Sequence, residues 1–267
     1  MEGRYQAKYP VQTVEKALDI LLYLKENASG NGLSLNQISD GTGMGKSSVH
    51  RFLDTLLEYD FVEKSADGLA YKLGWGAFSL GCNIPKTNGL DQEKIASALK
   101  DLSNQFGEIV NLGIQNQYHM IIIQRFFPDH TPPSQRLVAN VTIGEREPLS
   151  CTGIGKLFLS EMKDSEVLAA FRSTPPVQTT ATSIVTEKAL LDEITQVRKQ
   201  GYALDRGEAA PDVFCIATPL KDYTGRTVAG ISISIPTGRM EEEKLIPMVE
   251  QMKEAAYGIS KRLGYPG

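Results

Sequence analysis

A short run of polar and basic side chains in the first quarter of the chain has the chemistry of a nucleic-acid contact. No acidic residue occurs between Met44 and Leu53, although the whole chain carries a formal net charge of -4. Lysine, arginine and hydroxyl side chains bind phosphates, and arginine also reads base edges. The candidate DNA contacts are Lys46, Ser47, Ser48, His50 and Arg51.

Apolar residues ahead of this run predict a first helix that begins near Val14. They recur at i, i+3, i+4, i+7 and i+8, which is the spacing of one buried helical face. Small and turn-forming residues at 27–32 are expected to end the helix. The predicted buried face consists of Val14, Ala17, Leu18, Leu21 and Leu22.

Two further helices are predicted around a glycine turn. Ser34 and Gln37 have the spacing of a capping box, which predicts the start of the second helix. The sequence GTG at 41–43 predicts a tight turn, and an apolar stripe at 49–57 predicts a third helix over 46–59. This order is typical of a helix-turn-helix, whose second helix enters the major groove.

A hairpin follows the third helix and predicts a wing. The dipeptide DG at 67–68 separates two short extended runs, a strong hairpin signal. Lys64 and Lys72 would lie on opposite strands, within reach of the DNA backbone. Two alternatives stay open: a three-helix bundle with a solvated polar face, and a module that uses the winged helix for protein contacts.

The rest of the chain predicts a second domain of mixed helices and strands. A break at 85–89 precedes a helix over 91–106. The alternation of strand and helix patterns favours an α+β domain. The predicted strands are 109–115, 120–127 and 137–143, and the later helices are 155–162, 165–172 and 187–200.

Two segments of this domain have residue types that bind a small polar molecule. The sequence PLSCTGIGK at 148–156 leads from a strand into a helix, where free amides and the helix dipole favour an anion such as a carboxylate. An ordinary glycine turn is the alternative. Residues 230–235 alternate strictly, so Ser232 and Ser234 share a face opposite the isoleucines. These serines could equally face solvent.

Composition and spacing argue against several classes of protein. The three cysteines are far apart and lack the spacing of a zinc site or a disulfide framework, so we expect neither metal nor cofactor. Apolar runs are too short to cross a membrane, which predicts a cytoplasmic protein. An enzyme that uses Cys215 with Asp205 or a histidine is the rival class. No spacing of nucleophile and base supports it, and we expect no catalytic residues.

These motifs together resemble the isocitrate lyase regulator (IclR) family of bacterial transcription factors. The resemblance spans nearly the whole chain in the expected order. One departure is Gly45, where members of the family often have proline before the lysine that opens the recognition helix. The motifs are VEKAL at 14–18, 33–38, GKSSVHR at 45–51, DG with YKLG at 67–74, 144–156, GYALD at 201–205, CIA at 215–217 and ISIS at 231–234.

The resemblance implies a winged helix-turn-helix domain at 11–74, a linker at 75–90 and a GAF-like α+β effector-binding domain at 91–266. It also implies repression of a catabolic operon, with activation as the alternative. The expected oligomer is a homodimer or homotetramer on a palindromic operator in double-stranded DNA, joined through the first helix and residues 85–106.

An effector pocket also follows from the resemblance. Its chemistry suits a small carboxylate metabolite, such as a hydroxy or keto acid, with Leu149 or Phe214 shaping the apolar side. The residues that correspond to the pocket of the family are Thr152, Gly153, Ile154, Asp205, Cys215, Ser232 and Ser234.

Overall fold

A computed structural model describes residues 7–28, 30–87, 92–130, 132 and 142–267. These residues belong to two compact units, an N-terminal unit within Tyr5–Gly89 and a C-terminal unit that includes Leu90–Gly267. No helix in the described part of the chain is long and apolar enough to span a bilayer.

The described residues of the N-terminal unit form four helices and a small antiparallel sheet. Strands β1, β3 and β2 are neighbours in that order, and the hairpin of β2 and β3 is the predicted wing. The elements are α1 (Gln12–Asn27), β1 (Leu33–Ser34), α2 (Leu35–Thr42), α3 (Lys46–Glu58), β2 (Val62–Lys64), β3 (Ala70–Leu73) and α4 (Trp75–Thr87).

The capping box is present at the start of α2. The backbone amide of Ser34 donates to Gln37 Oε1 at 2.9 Å, and the Gln37 amide donates to Ser34 Oγ at 3.3 Å. The turn comes later than predicted, because Gly41 is still helical. A side chain there would collide with the Tyr23 ring, and only Gly43, with φ of 68°, takes the left-handed conformation that ends the helix.

Two predictions for this unit are wrong. In α1 the core receives Ile20 and Leu24, while Val14 and Leu18 are 54% and 51% exposed. The helix carries two overlapping apolar stripes, and contacts with α2, α3 and β3 select the one to be buried. The break predicted at 85–89 is also wrong over its first three residues, since α4 continues to Thr87, and residues 88 and 89 lie outside the described residues.

In the described residues of the C-terminal unit, helices surround a six-stranded antiparallel sheet. Its strand order is β6-β5-β4-β9-β8-β7. The first elements are α5 (Gln92–Phe106), β4 (Ile109–Asn116), β5 (His119–Phe126), β6 (Arg146–Pro148), α6 (Gly153–Ser160) and α7 (Asp164–Ser173). They are followed by α8 (Glu187–Gln200), β7 (Ala203–Arg206), β8 (Val213–Lys221), β9 (Thr227–Pro236) and α9 (Glu242–Arg262).

Helices cover both faces of this sheet. On one face α5 and α9 pack against the isoleucines of β9, which form the larger apolar core. On the other face α6, backed by α8, packs against small residues of β7 and β8. Ser232 and Ser234 lie on the α6 face and are buried, so the alternative that these serines face solvent is wrong.

The predicted bounds of two elements differ from the structure. Helix α6 begins at Gly153, two residues before the prediction, because Thr152 acts as its N-cap. The strand predicted at 137–143 lies largely outside the described residues, and at 142 and 143 the chain is not in a strand.

Candidate functional sites

Helix α3 exposes all five predicted DNA contacts near its N-terminus. Val49 and Leu53 fill the core, and the polar residues before and after Val49 face outward. Ser48 makes the first helical hydrogen bond, to the Gly45 carbonyl at 2.9 Å. The amides of Lys46 and Ser47 therefore precede the helical ladder, at the positive end of the helix dipole, which suits a phosphate.

The two wing lysines have different surroundings. Lys72 Nζ lies 2.7 Å from Glu63 Oε1 on the adjacent strand, so a carboxylate already balances its charge. Lys64 Nζ lies 5.7 Å from the centre of the Tyr71 ring. An aromatic face leaves the ammonium charge in place. Lys64 is thus the better placed of the two to bind a phosphate.

A cavity of about 380 Å³ on the α6 face of the large sheet brings together all seven predicted effector residues. Sequence reasoning missed the remaining lining residues. These are Asn111, Met120, Ile122, Arg125, Glu147 and the 209–213 segment.

Polar side chains from five neighbouring strands form the floor of this cavity in two rows. In the first row Asp205, Cys215 and Ser234 are cross-strand neighbours on β7, β8 and β9. In the second row Ser232 pairs with Asn111, and Asn111 pairs with Arg125 on β5. Residues directly opposite one another point to the same face, so strand register alone brings these distant positions together.

Hydrogen bonds join the two rows. Arg125 Nε donates to Asn111 Oδ1 at 3.0 Å. The Asn111 amide nitrogen donates to Ser234 Oγ at 2.9 Å and to Ser232 Oγ at 3.3 Å. Cys215 Sγ lies 3.4 Å from Ser234 Oγ. The floor is therefore a continuous polar chain from a guanidinium group to a thiol.

Helix α6 presents its N-terminus at the cavity because small residues allow a close approach. Thr152 Oγ1 accepts from the Gly155 amide at 3.0 Å, which leaves the amides of Gly153 and Ile154 at the open helix end. A Cβ on Gly155 would lie 2.2 Å from the Leu149 carbonyl oxygen, and one on Gly230 would lie 2.7 Å from the Ile154 side chain. The free amides and the helix dipole suit an anion.

A buried ion cluster lies behind this helix. Lys156 is completely buried and donates to Glu208 Oε1 at 2.7 Å, to the Leu204 carbonyl at 2.8 Å and to Glu193 Oε1 at 3.2 Å. The Glu208 amide in turn donates to Asp205 Oδ1 at 2.7 Å. The cluster thereby ties α6, α8 and the wall of the cavity to one another.

Burial dominates the electrostatics of the cavity. It raises the pKa of Asp205 to about 6, with the neighbouring charge of Glu208 adding to the effect. Burial also raises the pKa of Glu147, lowers that of Arg125, and raises that of Cys215 to about 12. A thiol with so high a pKa stays protonated at neutral pH and is a poor nucleophile.

Neither residue predicted for the apolar side of the pocket lines it. Leu149 is packed in the core between α6 and the sheet. Phe214 precedes Cys215 on β8, so it points to the opposite face and packs in the α5–α9 core. Because side chains alternate along a strand, the sequence itself could have predicted that Phe214 and Cys215 face opposite sides of the sheet. The apolar walls are instead Met120, Ile122, Ile154 and Val213.

The described residues contain no cluster of metal ligands, and no described histidine lines the cavity beside Cys215. These residues contain no group of three or more His, Cys, Asp or Glu side chains that could hold a metal ion. Of the described histidines, His50 lies on α3, His119 contacts Arg146, and neither His119 nor His130 lines the cavity with Cys215.

Comparisons with known proteins agree with this architecture. The model for the IclR helix-turn-helix domain matches residues 13–66, and the model for the bacterial transcriptional regulator IclR C-terminal domain matches residues 91–261. The HTH-type transcriptional repressor AllR of Escherichia coli (strain K12) is 30% identical over 259 residues, which cover 97% of this chain and 92% of AllR.

Solved structures show the same fold. The Thermotoga maritima IclR covers 95% of this chain and 99% of its own, with 26% identity and a TM-score of 0.75. An IclR homologue from Microbacterium hydrocarbonoxydans, complexed with 4-hydroxybenzoate, covers 92% and 98% with 18% identity and a TM-score of 0.77. The expected resemblance and fold class are confirmed, and the enzyme alternative is excluded. The chain belongs to the IclR family of DNA-binding transcriptional regulators.

Proposed function

We propose that this regulator represses a catabolic operon and that a small organic acid in the cavity changes its affinity for the operator. The cavity is the observation that carries the proposal: an open helix N-terminus, serine hydroxyls and Arg125 surround one space of a size suited to a metabolite. The name of AllR as a repressor supports the sign of regulation. Activation is the alternative sign.

On the DNA side, α3 enters the major groove and the wing follows the phosphate backbone. The support is the exposure of the polar residues on α3, the absence of acidic residues from its first turn, and its free amides. The proposed contacts are Lys46, Ser47, Ser48, His50, Arg51, Lys64 and Lys72.

On the effector side, the amides at the N-terminus of α6 hold a carboxylate, and the serines hold a second polar group. A likeness of fold to the complex with 4-hydroxybenzoate, itself a carboxylate, supports this choice of chemistry. The proposed contacts are Thr152, Gly153, Ile154, Asp205, Cys215, Ser232 and Ser234.

The working form is a homodimer or homotetramer in the cytoplasm, where its operator lies. Large apolar side chains are exposed on two helices of the N-terminal unit, and such surfaces mark protein contacts. Those on α1 are Val14 and Leu18, and those on α4 are Trp75, Phe78 and Leu80.

The first experiment is to incubate the purified protein with sheared DNA from its own genome and to sequence the retained fragments. Enrichment of a palindrome upstream of a metabolic operon supports the proposal, and loss of that enrichment in Arg51→Ala places the contact on α3. Transcription of the operon in a deletion strain gives the sign, because it rises without a repressor and falls without an activator. Absence of enrichment, with and without a mixture of organic acids, would contradict the DNA and effector assignments together.

A further inference from the structure

We infer that the effector binds together with a proton, which resides on Asp205 and is donated in a hydrogen bond to the effector carboxylate. This inference rests on the proposed function of the cavity. Protonated Asp205 is then a second group, beside the helix N-terminus, that recognises the effector carboxylate. It also makes operator occupancy sensitive to pH within the physiological range.

The position of Asp205 is the first argument. A Cβ on Gly153, the first residue of α6, would lie 3.8 Å from the Asp205 backbone nitrogen. The first turn of α6 thus lies against the backbone of Asp205, and the Asp205 carboxyl group lines the same cavity, so a carboxylate bound by the first amides of α6 shares a confined space with it. Two ionised carboxylates in one buried cavity repel one another, whereas a shared proton turns their contact into a hydrogen bond.

The charges around Asp205 are the second argument. Asp205 and Glu208 are 4% and 5% exposed, and Glu193 is also partly buried. Lys156 is the cation inside this cluster, and its three protons are already donated to Glu208, Glu193 and the Leu204 carbonyl. No ammonium proton is left for Asp205. Moreover, Glu208 Oε2 is buried without a hydrogen-bond partner among the described residues.

Other titratable groups near the cavity leave this balance unchanged. From β8 and from the turn before α6, Cys215 and Cys151 present neutral thiols, because burial raises the pKa of both. From β6 and from the wall segment, Glu147 and Asp212 add further carboxyl groups. Each of these groups is neutral or negative, so none neutralises Asp205.

The nearby arginines are engaged elsewhere. The Arg206 guanidinium is half exposed and lies 3.7 Å from Glu193. Arg125 belongs to β5, four strands away from β7 in the sheet order, which is roughly 19 Å between backbones. Arg125 serves the opposite end of the cavity, where it donates to Asn111.

The sign of the pH effect follows from the raised pKa of Asp205, about 6. In the free protein at neutral pH the carboxyl group is mostly ionised, so binding of the effector takes up a proton. If only the protonated form binds, the apparent Kd increases about 25-fold between pH 5.5 and pH 7.5, in proportion to the lost protonated fraction. Affinity is therefore highest below pH 6 and falls as the pH rises.

The test uses the full chain and a panel of acids: 4-hydroxybenzoate, glycolate, lactate and pyruvate. Thermal shift at pH 5.5 selects an acid that binds. Calorimetry at pH 5.5, 6.5 and 7.5, in two buffers of different ionisation enthalpy, then measures Kd and the protons taken up. We expect close to one proton taken up per ligand at pH 7.5, and the roughly 25-fold loss of affinity derived above.

Asp205→Asn is the decisive variant. Its amide oxygen can still accept from the Glu208 amide, and its NH₂ group donates at every pH. We expect Kd to be independent of pH, proton uptake to disappear, and affinity at pH 7.5 to exceed that of the wild type. Glu254→Gln, which removes an exposed carboxylate on α9 outside the cavity, is the control and should keep the wild-type affinity and pH profile.

Two results would overturn the inference while leaving the proposed function intact. One is binding of an acid with a flat pH profile and no proton uptake. The other is loss of binding in a folded Asp205→Asn variant, because that would assign the ionised carboxylate the role of acceptor. Failure of every acid to bind at any pH would instead remove the carboxylate effector itself, and the inference with it.

Discussion

Replacing Lys156 with methionine should destabilise the C-terminal unit severely. The change removes three hydrogen bonds and leaves the Glu208 carboxylate buried without the charge of Lys156. The second oxygen of Glu208 already lacks a hydrogen-bond partner among the described residues, so neither oxygen would then be paired with a cation. Breaking one side of a buried ion pair costs about 3–5 kcal/mol. For a unit of this size that lowers the melting temperature by roughly 10 °C.

The assay is thermal and urea unfolding of the full chain, followed by far-UV circular dichroism. Trp75, the single tryptophan of the chain, lies in the N-terminal unit, so its fluorescence gives a separate signal for that unit. The matched control is Lys188→Met, which removes an exposed pair with Asp192 on α8 and should leave unfolding unchanged.

A second substitution checks the cause. Adding Glu208→Gln to Lys156→Met removes the uncompensated charge, so the double variant should recover much of the lost stability. Burial raises the pKa of Glu208 and Lys156 opposes that rise. The deficit of the single variant should therefore shrink as the pH falls, because a protonated Glu208 needs no counter-charge. A melting temperature within about 2 °C of wild type would refute the argument that this charge is buried and paired.

Two further predictions concern the DNA contact and the approach of α6. Arg51→Ala should weaken operator binding, and it should reduce the slope of log Kd against log salt concentration by about one if the side chain binds a phosphate. The control Lys16→Ala on α1 should change neither quantity. Fluorescence anisotropy over a range of salt concentrations measures both. Gly155→Ala should destabilise the C-terminal unit and weaken effector binding, because the new methyl group meets the Leu149 carbonyl. The same change at Gly258, exposed on α9 with open space around it, should raise stability by about 0.5–1 kcal/mol.

Local signals in the sequence were sufficient to predict the start of α2, the helix α3 and the hairpin of the N-terminal unit. The capping box, the hairpin and the stripe on α3 depend on residues within a few positions of one another, and such patterns fix local structure. The buried face of α1 could not be predicted in the same way. Val14 and Ile20 are both apolar, and only contacts with distant elements decide which of the two is buried.

The cavity shows the same limit more clearly. The serines on β9 and the turn before α6 were predicted from their own alternation and from the family resemblance. Asn111 and Arg125 were missed, since their place beside the serines depends on the register of β4 with β5 and β9. The register between strands is set when the sheet assembles, so it could not be predicted from the residues of one strand alone.

The polar chain on the cavity floor has a direction. Because Arg125 holds the oxygen of the Asn111 amide, the NH₂ group must face the serines, and both serine oxygens are used as acceptors there. Their hydroxyl protons are then free to point away from Asn111, toward Cys215 or a ligand. The Arg125 guanidinium on β5 thus orients the Asn111 amide and, through it, the two serine hydroxyls. A substitution at Arg125 would free that amide to rotate, and the same serines would then be able to accept from a ligand as well as donate to it.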